Sequence, residues 1–215
     1  MARLHEFEAK VLFGEAGIAL PKGKVAASSR QAAAVAAEIG FPVAIKAQVQ
    51  VGKRGKAGGI RFAENPAEAE AAARALLGAT IHGHRVERVL VEKKLDIERE
   101  HYLGILSNPM TRAPTLVFAA SGGVDVEAAA VSGGRFGRPA GVATLDIDML
   151  EGVRPYMALD VLRKAGVSGP AMMPLAQMAT RLYDVYRRYD CTIAEINPVA
   201  VTAAGVVAAD ARVNI

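Results

Sequence analysis

The sequence from residue 191 to residue 210 reads Cys191-Thr-Ile-Ala-Glu195-Ile-Asn197-Pro198-Val-Ala-Val-Thr202-Ala-Ala-Gly205-Val-Val-Ala-Ala-Asp210. Its first part, up to Asn197, is typical of a strand, and Thr202 to Gly205 is typical of a turn into a returning strand that ends at Asp210. Glu195 and Asn197 are two residues apart, so their side chains lie on one face of the strand. We expect an antiparallel hairpin that carries Asn197 and Asp210 close together at its end.

The polar side chains of this hairpin form a set of hard oxygen donors. Glu195 and Asp210 provide carboxylates, and Asn197 provides a neutral amide oxygen. Mg²⁺ takes such ligands together with the phosphate oxygens of a substrate. An ordinary hairpin with polar ends is the alternative that these residues leave open.

The composition indicates a globular α/β-type chain rather than a disordered one. Of the 215 residues, 52% are hydrophobic and only 5% are aromatic, so alanine and valine supply most of the core. This length allows one substantial core or two small lobes. The net charge of +4 suits anionic ligands, but it is too small to indicate nucleic-acid binding by itself.

The compartment is predicted from what the sequence does not contain. Cys191 is the single cysteine, so no internal disulfide can form, which fits a reducing compartment. No apolar run of 18 residues is free of charges or glycine, which argues against a membrane span. The amino terminus has neither the pattern of a signal peptide nor that of a transit peptide. We therefore expect a cytoplasmic protein.

Helical and strand patterns alternate along the chain without a Pro/Ser-rich linker or an internal repeat. The predicted helices are 3–14, 28–39, 65–77, 158–166 and 171–188, and the predicted strands are 25–27, 42–49, 59–62, 86–92, 100–106, 115–120 and the final hairpin. The strand-loop-strand at 42–62 and the closing hairpin favour antiparallel pairs over a doubly wound parallel sheet. The predicted fold class is α+β, with two lobes and a cleft between them.

The loop Val51-Gly-Lys-Arg-Gly-Lys-Ala-Gly-Gly59 is the second candidate for chemistry. Its glycines let the backbone approach a ligand closely, and its cations and N–H groups suit a polyphosphate. It matches neither the P-loop pattern nor the dinucleotide-binding fingerprint. A solvated basic hairpin tip is the alternative.

Three further charged residues stand at strand positions. Lys46 lies in an apolar strand, where lysine seldom occurs without an anionic partner, unless it points to solvent. Glu92 ends the strand Val89-Leu-Val and can accept hydrogen bonds from an amino group or a ribose hydroxyl, or it is a solvated strand end. Glu100 follows eight residues later. The four histidines form no ligand-spaced set with Cys191, so neither a zinc site nor a catalytic triad is predicted.

Taken in order, these segments resemble the ATP-grasp portion of the succinyl-CoA synthetase β subunit, across essentially the whole chain. The related nucleotide domains of ATP-citrate lyase and citryl-CoA synthetase look similar, within the superfamily of nucleoside-diphosphate-forming acyl-CoA ligases. The segments that carry the resemblance are Leu4-His-Glu-Phe-Glu-Ala-Lys10, Lys46-Ala-Gln-Val49, Lys53-Arg-Gly-Lys-Ala-Gly-Gly59, Leu90-Val-Glu92, Glu100-x-Tyr-Leu-Gly104, Gly122-Gly-Val-Asp-Val-Glu127, Glu195-Ile-Asn-Pro198 and Asp210.

The resemblance implies an ATP-grasp fold that holds Mg-ATP or Mg-GTP between lobe one, about 21–98, and lobe two, about 1–20 with 99–215. It implies phosphate contacts from Lys46 and from the loop residues Lys53, Arg54 and Gly55. It places Glu92 at the nucleotide base and Glu100 toward the ribose. Asn197 and Asp210 would ligate Mg²⁺, and Glu195 would orient a phosphohistidine supplied by a partner α-type, CoA-binding subunit.

The implied reaction joins a carboxylic acid to CoA, and this chain serves the phosphoryl transfer. Relative to the family pattern, the sequence Gln50-Val-Gly-Lys-Arg-Gly55 is closer to the citrate-processing relatives, which keeps citrate open as the acid. The resemblance also implies a carboxy-terminal CoA-ligase domain, which we expect to be absent from the sequence ending at Ile215. No histidine here matches the phosphohistidine motif, so that group must come from another chain.

Two other functions stay open at this point. One is a non-catalytic binding or regulatory module that kept the fold. The other is nucleic-acid binding through the basic loop, but the few aromatic residues lie in mostly apolar runs and not on a stacking platform. We expect neither a nucleic-acid nor a membrane partner.

Overall fold

The computed structural model describes residues 2–52, 54–121 and 141–215. The chain divides into two compact units. The larger unit comprises Met1–Leu4, Ala9–Leu20 and Asp96–Ile215, and the smaller unit comprises His5–Glu8 and Pro21–Leu95. The division falls within the first helix, α1 (Glu6–Glu15).

The smaller unit contains a four-stranded antiparallel sheet in the order β1-β6-β2-β3. Two helices and a separate two-stranded hairpin, β4-β5, complete it. Its elements are β1 (Gly23–Ala26), α2 (Ser29–Ile39), β2 (Val43–Ala47), β3 (Ile60–Ala63), α3 (Pro66–Leu76), β4 (Thr80–Ile81), β5 (His84–Arg85) and β6 (Val89–Lys93).

The helices of the smaller unit begin where the sequence predicts, because their caps are encoded locally. The Ser28 hydroxyl accepts a hydrogen bond from the Gln31 N–H at 3.2 Å, and Asn65 Oδ1 accepts one from the Glu68 N–H at 2.9 Å. Pro66 occupies the first turn, where its missing N–H has no cost. Gly40 ends α2 at φ 85°, a backbone conformation that favours glycine.

The two faces of the small sheet differ in chemistry. Val43, Ile45 and Ala47 of β2 are buried in an apolar core with side chains from α2 and α3. Because side chains alternate along a strand, Ala44 and Lys46 lie on the opposite face. That second face carries the charged residues described below.

The larger unit is built on a second antiparallel sheet in the order β11-β10-β7-β8-β9, with β12 also paired to β10. Among the described residues of this unit, two helices and α1 accompany it. The elements are β7 (Arg99–Asn108), β8 (Ala113–Ala119), β9 (Val142–Asp146), α4 (Pro155–Lys164), α5 (Met172–Arg188), β10 (Ile193–Thr202), β11 (Gly205–Ala208) and β12 (Arg212–Asn214).

The main core of the larger unit lies between its helices and one face of this sheet. It includes Phe13 of α1, Phe118 of β8 and Leu182 of α5, all fully buried. A smaller apolar cluster on the opposite face of β7 and β8 includes Tyr102, Leu106 and Val117. Both faces of the sheet are thus partly apolar, which leaves limited room for polar groups.

The α+β class is confirmed, and every strand pair among the described residues is antiparallel, as expected. Several bounds differ from the prediction: α1 begins at Glu6 rather than residue 3, β6 begins at Val89 rather than residue 86, and β11 ends at Ala208 before Asp210. The strands β4, β5, β9 and β12 were not predicted. With two or three residues each, β4, β5 and β12 are too short to show an alternating pattern.

Removing the α2 cap should weaken the smaller unit. Ser28→Ala deletes the hydroxyl that accepts the Gln31 N–H, so we expect a loss of about 1 kcal/mol in the free energy of unfolding. Ser29→Ala, one residue later inside the helix, is the matched control and should be neutral or slightly stabilising. Urea denaturation measures both, and equal effects of the two changes would contradict the capping role.

Candidate nucleotide and magnesium site

Lys46 lies on the charged face of the small sheet and is paired with two carboxylates. Its Nζ is 3.0 Å from Glu6 Oε1 and 2.7 Å from Glu92 Oε2. The side chains are almost buried, with exposed fractions of 10%, 2% and 3% for Lys46, Glu6 and Glu92. The expected anionic partner of Lys46 is therefore present within the chain, and the lysine does not point to solvent.

Glu6 joins this lysine to the basic loop. Its second carboxylate oxygen, Oε2, accepts hydrogen bonds from the Arg54 guanidinium and, at 3.3 Å, from Gln48 Nε2. Arg54 also donates to the Ala47 carbonyl at 3.2 Å. Two carboxylates and two cations thus form a buried, charge-balanced group, which we call the small-unit ion cluster: Glu6, Lys46, Arg54 and Glu92. Sequence reasoning assigned no role to Glu6, although an acidic residue in the first helical turn is a recognisable signal.

The basic loop is tightly folded around Arg54. The Arg54 carbonyl accepts hydrogen bonds from the Ala57 and Gly59 N–H groups at 3.1 and 2.9 Å. Gly59 is required by packing, since a Cβ there would lie 3.0 Å from that same carbonyl. Arg54 is buried, whereas Gly55 and Lys56 are exposed. The loop is therefore not simply a solvated basic tip.

Glu92 is held over a glycine of the neighbouring strand. Gly23 pairs with Glu92 in the β1–β6 ladder, and a Cβ on Gly23 would lie 2.6 Å from Glu92 Cγ. Only glycine leaves this space for the glutamate side chain. The alternative that Glu92 is a solvated strand end is wrong.

In the larger unit, the register of β10 sets the position of Asn197. Val199 faces Ala208 in β11, and Glu195 faces Arg212 in β12, with the same offset on both sides of the gap. That offset places Asn197 opposite Asp210, and the Ala209 N–H donates to the Pro198 carbonyl at 3.1 Å. The hairpin thus brings the two residues to matching positions, as the sequence predicts.

A β-bulge interrupts β10 next to Asn197. The pairing between β10 and β7 shifts by one residue between Ile196 and Val199, and the Asn197–Pro198 peptide is cis. Ala194, Ile196 and Val199 all pack in the main core, so the core-facing positions change from even to odd numbers at the bulge. Glu195 accordingly lies on the face of the sheet opposite to this core, together with the other side chains of β10 that point away from the core.

Glu195 has a cationic neighbour across the strand. Arg212 donates to Glu195 Oε2 at 3.4 Å, and the glutamate side chain is largely buried. On its other side Glu195 faces Gly104, and a Cβ there would lie 2.6 Å from the Tyr102 hydroxyl. Because Gly104 has no side chain, the buried Tyr102 ring can lie next to position 104, which pairs with Glu195. Neither Arg212 nor Tyr102 was predicted from sequence.

The remaining predicted residues are Glu100, Lys53 and those of the segment Gly122–Glu127. Glu100 is exposed and faces Ala200 in the β7–β10 ladder, beyond the bulge from Glu195. Lys53 and the segment Gly122–Glu127 lie outside the described residues. The smaller unit thus gathers Lys46, Arg54 and Glu92, and the larger unit gathers Glu195, Asn197 and Asp210.

Asn197 and Asp210 offer one amide and one carboxylate, and both are half-buried. One Asp210 oxygen, Oδ1, accepts the Ala211 N–H at 2.7 Å. Within residues 2–52, 54–121 and 141–215, no group of three or more His, Cys, Asp or Glu side chains could hold a metal. Mg²⁺ commonly uses only one or two protein carboxylates, with waters and phosphate oxygens completing its shell, and this donor pair fits that pattern.

Residues 3–201 match the ATP-grasp domain family. The chain belongs to the ATP-grasp family. A succinate–CoA ligase [GDP-forming] subunit beta of Thermus thermophilus is 41% identical over 211 residues, which are 98% of this chain and 54% of that protein. A succinate–CoA ligase [ADP-forming] subunit beta 1 of Archaeoglobus fulgidus is also 41% identical, over 99% of this chain and 54% of its own length. The chain spans about half the length of the curated relatives it matches.

Solved structures share this ATP-grasp chain's fold. A dinucleotide-forming acetyl-coenzyme A synthetase 1 of Ca. Korarchaeum cryptofilum has a TM-score of 0.77 at 22% identity, covering 99% of this chain and 93% of its own. An ATP citrate lyase of Methanothrix soehngenii has a TM-score of 0.69 at 21% identity, covering 98% of this chain and half of its own. The predicted resemblance to an ATP-grasp domain is therefore confirmed.

No helix within the described part of this ATP-grasp chain combines the length and the apolar character needed to cross a membrane.

His101 should make the stability of the larger unit sensitive to pH. Burial lowers the pKa of this histidine, an effect only partly opposed by the hydrogen bond that Nδ1 donates to the Ala120 carbonyl at 2.9 Å. The unfolded chain then binds the proton more readily than the folded one. Stability from His101 is therefore complete above pH ~6.5 and declines as the pH falls through the ordinary histidine range toward the lowered folded pKa.

Denaturation curves of the parent and His101→Gln, recorded between pH 7.5 and 5, test this effect. The difference in unfolding free energy between the two should shrink as the pH falls. His84→Gln is the control, because His84 is exposed and lacks the burial that acts on His101. A difference that is constant with pH would show that His101 does not titrate in this way.

Proposed function

We propose that this chain is the nucleotide-binding part of an NDP-forming acyl-CoA synthetase of the succinyl-CoA synthetase type. In this function it binds Mg-ATP or Mg-GTP and exchanges phosphate with a phosphohistidine on a partner α-type subunit. The observation that carries the proposal is the alignment of Asn197 with Asp210 in an ATP-grasp chain that is about 40% identical to succinate–CoA ligase β subunits.

The phosphates would be bound by the cations of the smaller unit. Lys46 and Arg54 are held in place by Glu6 and, for Lys46, also by Glu92. Lys53 and the backbone of Gly55 would add contacts from the loop. Transfer of a phosphoryl group needs positioned positive charge more than covalent help from the protein, and this arrangement supplies it.

The nucleoside would be bound by two carboxylates, Glu92 at the base and Glu100 toward the ribose. The buried position of Glu92 over Gly23, with its ion pair to Lys46, gives the carboxylate a fixed place, which supports a specific role. Glu100 is exposed, which suits a group that meets a polar ribose hydroxyl.

Asn197 and Asp210 would hold Mg²⁺ against the phosphates. When bound there, Mg²⁺ would supply positive charge that offsets the phosphate charge. The shared register of β10 with β11 and β12 aligns the two donor residues. Glu195, on the same strand, would orient the partner's phosphohistidine, and Arg212 would hold the glutamate charged and aligned.

The acid and CoA would react elsewhere, with the α-type CoA-binding subunit and a separate ligase domain. Succinate is favoured over citrate as the acid, because the similarity to succinate–CoA ligases extends to sequence, whereas ATP citrate lyase shares the fold at 21% identity. We place this activity in the cytoplasm.

Binding of Mg-nucleotide should depend on Asp210. Asp210→Asn keeps the shape of the side chain and removes its charge, so the affinity for Mg-ATP should fall by roughly tenfold or more as a charge-assisted metal ligand is lost. Titration calorimetry with ATP, in the presence of Mg²⁺ and in its absence, measures this. The gain from Mg²⁺ should disappear in the variant.

Asp184→Asn, an exposed aspartate on α5, is the matched control and should bind as the parent does. The proposal is wrong if the parent chain binds neither Mg-ATP nor Mg-GTP. It is also wrong in its metal assignment if Asp210→Asn retains the full gain from Mg²⁺.

Phosphoryl transfer should depend on Glu195. With a purified α-type subunit and γ-labelled ATP, the parent chain should label a histidine of that subunit. Glu195→Gln should slow the labelling by roughly a hundredfold, the scale expected when a reacting group loses its alignment. Its Mg-ATP affinity should remain close to that of the parent.

Labelling at the parental rate by Glu195→Gln would contradict this role of the glutamate. Nucleotide binding without any labelling by the parent chain, across several α-type subunits, would instead favour a non-catalytic nucleotide-binding module.

A further inference from the structure

We propose that Glu6 is a positioning residue that fixes the two phosphate-directed cations, Lys46 and Arg54. This inference rests on the proposed function and concerns a residue to which the sequence analysis gave no role. Glu6 lies in the first turn of α1, and 40 or more residues separate it along the chain from the cations that it contacts.

The two oxygens of Glu6 divide the cations between them. Oε1 accepts from Lys46 Nζ at 3.0 Å, and Oε2 accepts from the Arg54 guanidinium. The Glu6 side chain is only 2% exposed, so water screens these contacts weakly. A single carboxylate therefore sets the spacing between one cation on strand β2 and another on the basic loop.

Gln48 keeps Glu6 itself in place. Its Nε2 donates to Glu6 Oε2 at 3.3 Å and to the Lys46 carbonyl at 3.1 Å. Its Oε1 accepts the Phe7 N–H at 3.1 Å, from the residue next to Glu6. Gln48 thus ties the first turn of α1 to the end of β2 through two hydrogen bonds, and its bond to the Lys46 carbonyl fixes Gln48 itself.

The chemistry of the site requires a carboxylate rather than an amide. The side-chain groups of Lys46, Gln48 and Arg54 that reach Glu6 are all hydrogen-bond donors. A glutamine at position 6 offers one acceptor oxygen, and its NH₂ group would face a donor on the other side. Either Lys46 or Arg54 would then lose one of its acceptors, leaving Glu92 to hold Lys46 or the Ala47 carbonyl to hold Arg54.

A purely structural role for Glu6 makes a different prediction. Buried ion pairs often add little to stability compared with apolar packing, but losing one partner leaves an unpaired buried charge. If stability were its whole contribution, a change at Glu6 would affect the binding of every part of the nucleotide alike. A positioning role affects the phosphates selectively, because Lys46 and Arg54 are directed to them.

The test compares Glu6→Gln with Glu8→Gln. Glu8 lies in the same helical turn but is half-exposed and pairs with His5, so it is the matched control. Dissociation constants are measured for Mg-ATP by calorimetry and for adenosine by saturation-transfer NMR. We expect Glu6→Gln to weaken Mg-ATP binding roughly tenfold to a hundredfold, the scale of a lost charge-assisted hydrogen bond. Adenosine binding should change by less than about twofold, and Glu8→Gln should match the parent for both ligands.

Each other outcome overturns the inference. Parental Mg-ATP affinity in Glu6→Gln, or an equal loss for Mg-ATP and adenosine, would show that Glu6 does not position the cations for phosphate. If the parent chain binds no Mg-nucleotide, the proposed function fails first, and this inference fails with it.

Glu6→Asp decides the question if Glu6→Gln does not fold. Aspartate keeps the charge but is one methylene shorter, so it cannot reach both cations. We expect a smaller, still selective loss of Mg-ATP affinity, and an unchanged Mg-ATP affinity would overturn the inference.

Discussion

The larger unit depends on one constraint, the register of β10 against its neighbours. The offset to β11 and β12 is constant, whereas the pairing with β7 shifts by one residue at Asn197–Pro198. A bulge of this kind turns the following residues to the other face. Proline has no N–H to donate, and it is tolerated at a bulge because the ladder of hydrogen bonds is interrupted there. Ala194, Ile196 and Val199 can therefore share one core while Glu195 stays on the opposite face.

The smaller unit meets a different constraint, the burial of four charges on one face of its sheet. Glu6 and Glu92 balance Lys46 and Arg54, and each contact is a charge-assisted hydrogen bond or ion pair. Apolar side chains of similar volume would fill the same space with a smaller desolvation cost. The ion cluster is therefore better explained by a charged ligand than by stability alone. Phosphate is the ligand that we propose for these cations.

The sequence predicts those parts of the fold that are encoded locally. Ser28 and Asn65 cap their helices as expected, and the turn at Thr202–Gly205 brings Asn197 opposite Asp210. Glu6 was missed because its contacts are with residues far along the chain, and the apolar spacing of α1 gives no sign of them. The burial of Glu92 was missed for a similar reason, since it depends on Gly23 in another strand. The ligand roles of these residues stay predictions.

Gly23 shows that surface accessibility is a poor guide to which positions tolerate substitution. The residue is exposed, and by that measure any side chain should be accepted there. Yet the Glu92 side chain occupies the space where a Cβ on Gly23 would lie, and the Val91 carbonyl is only 3.0 Å from that point. A mutant library designed to vary exposed positions would include Gly23. A side chain there would displace the Glu92 carboxylate that pairs with Lys46, although Glu92 itself is not mutated. Such libraries should treat this strand edge as part of the candidate site.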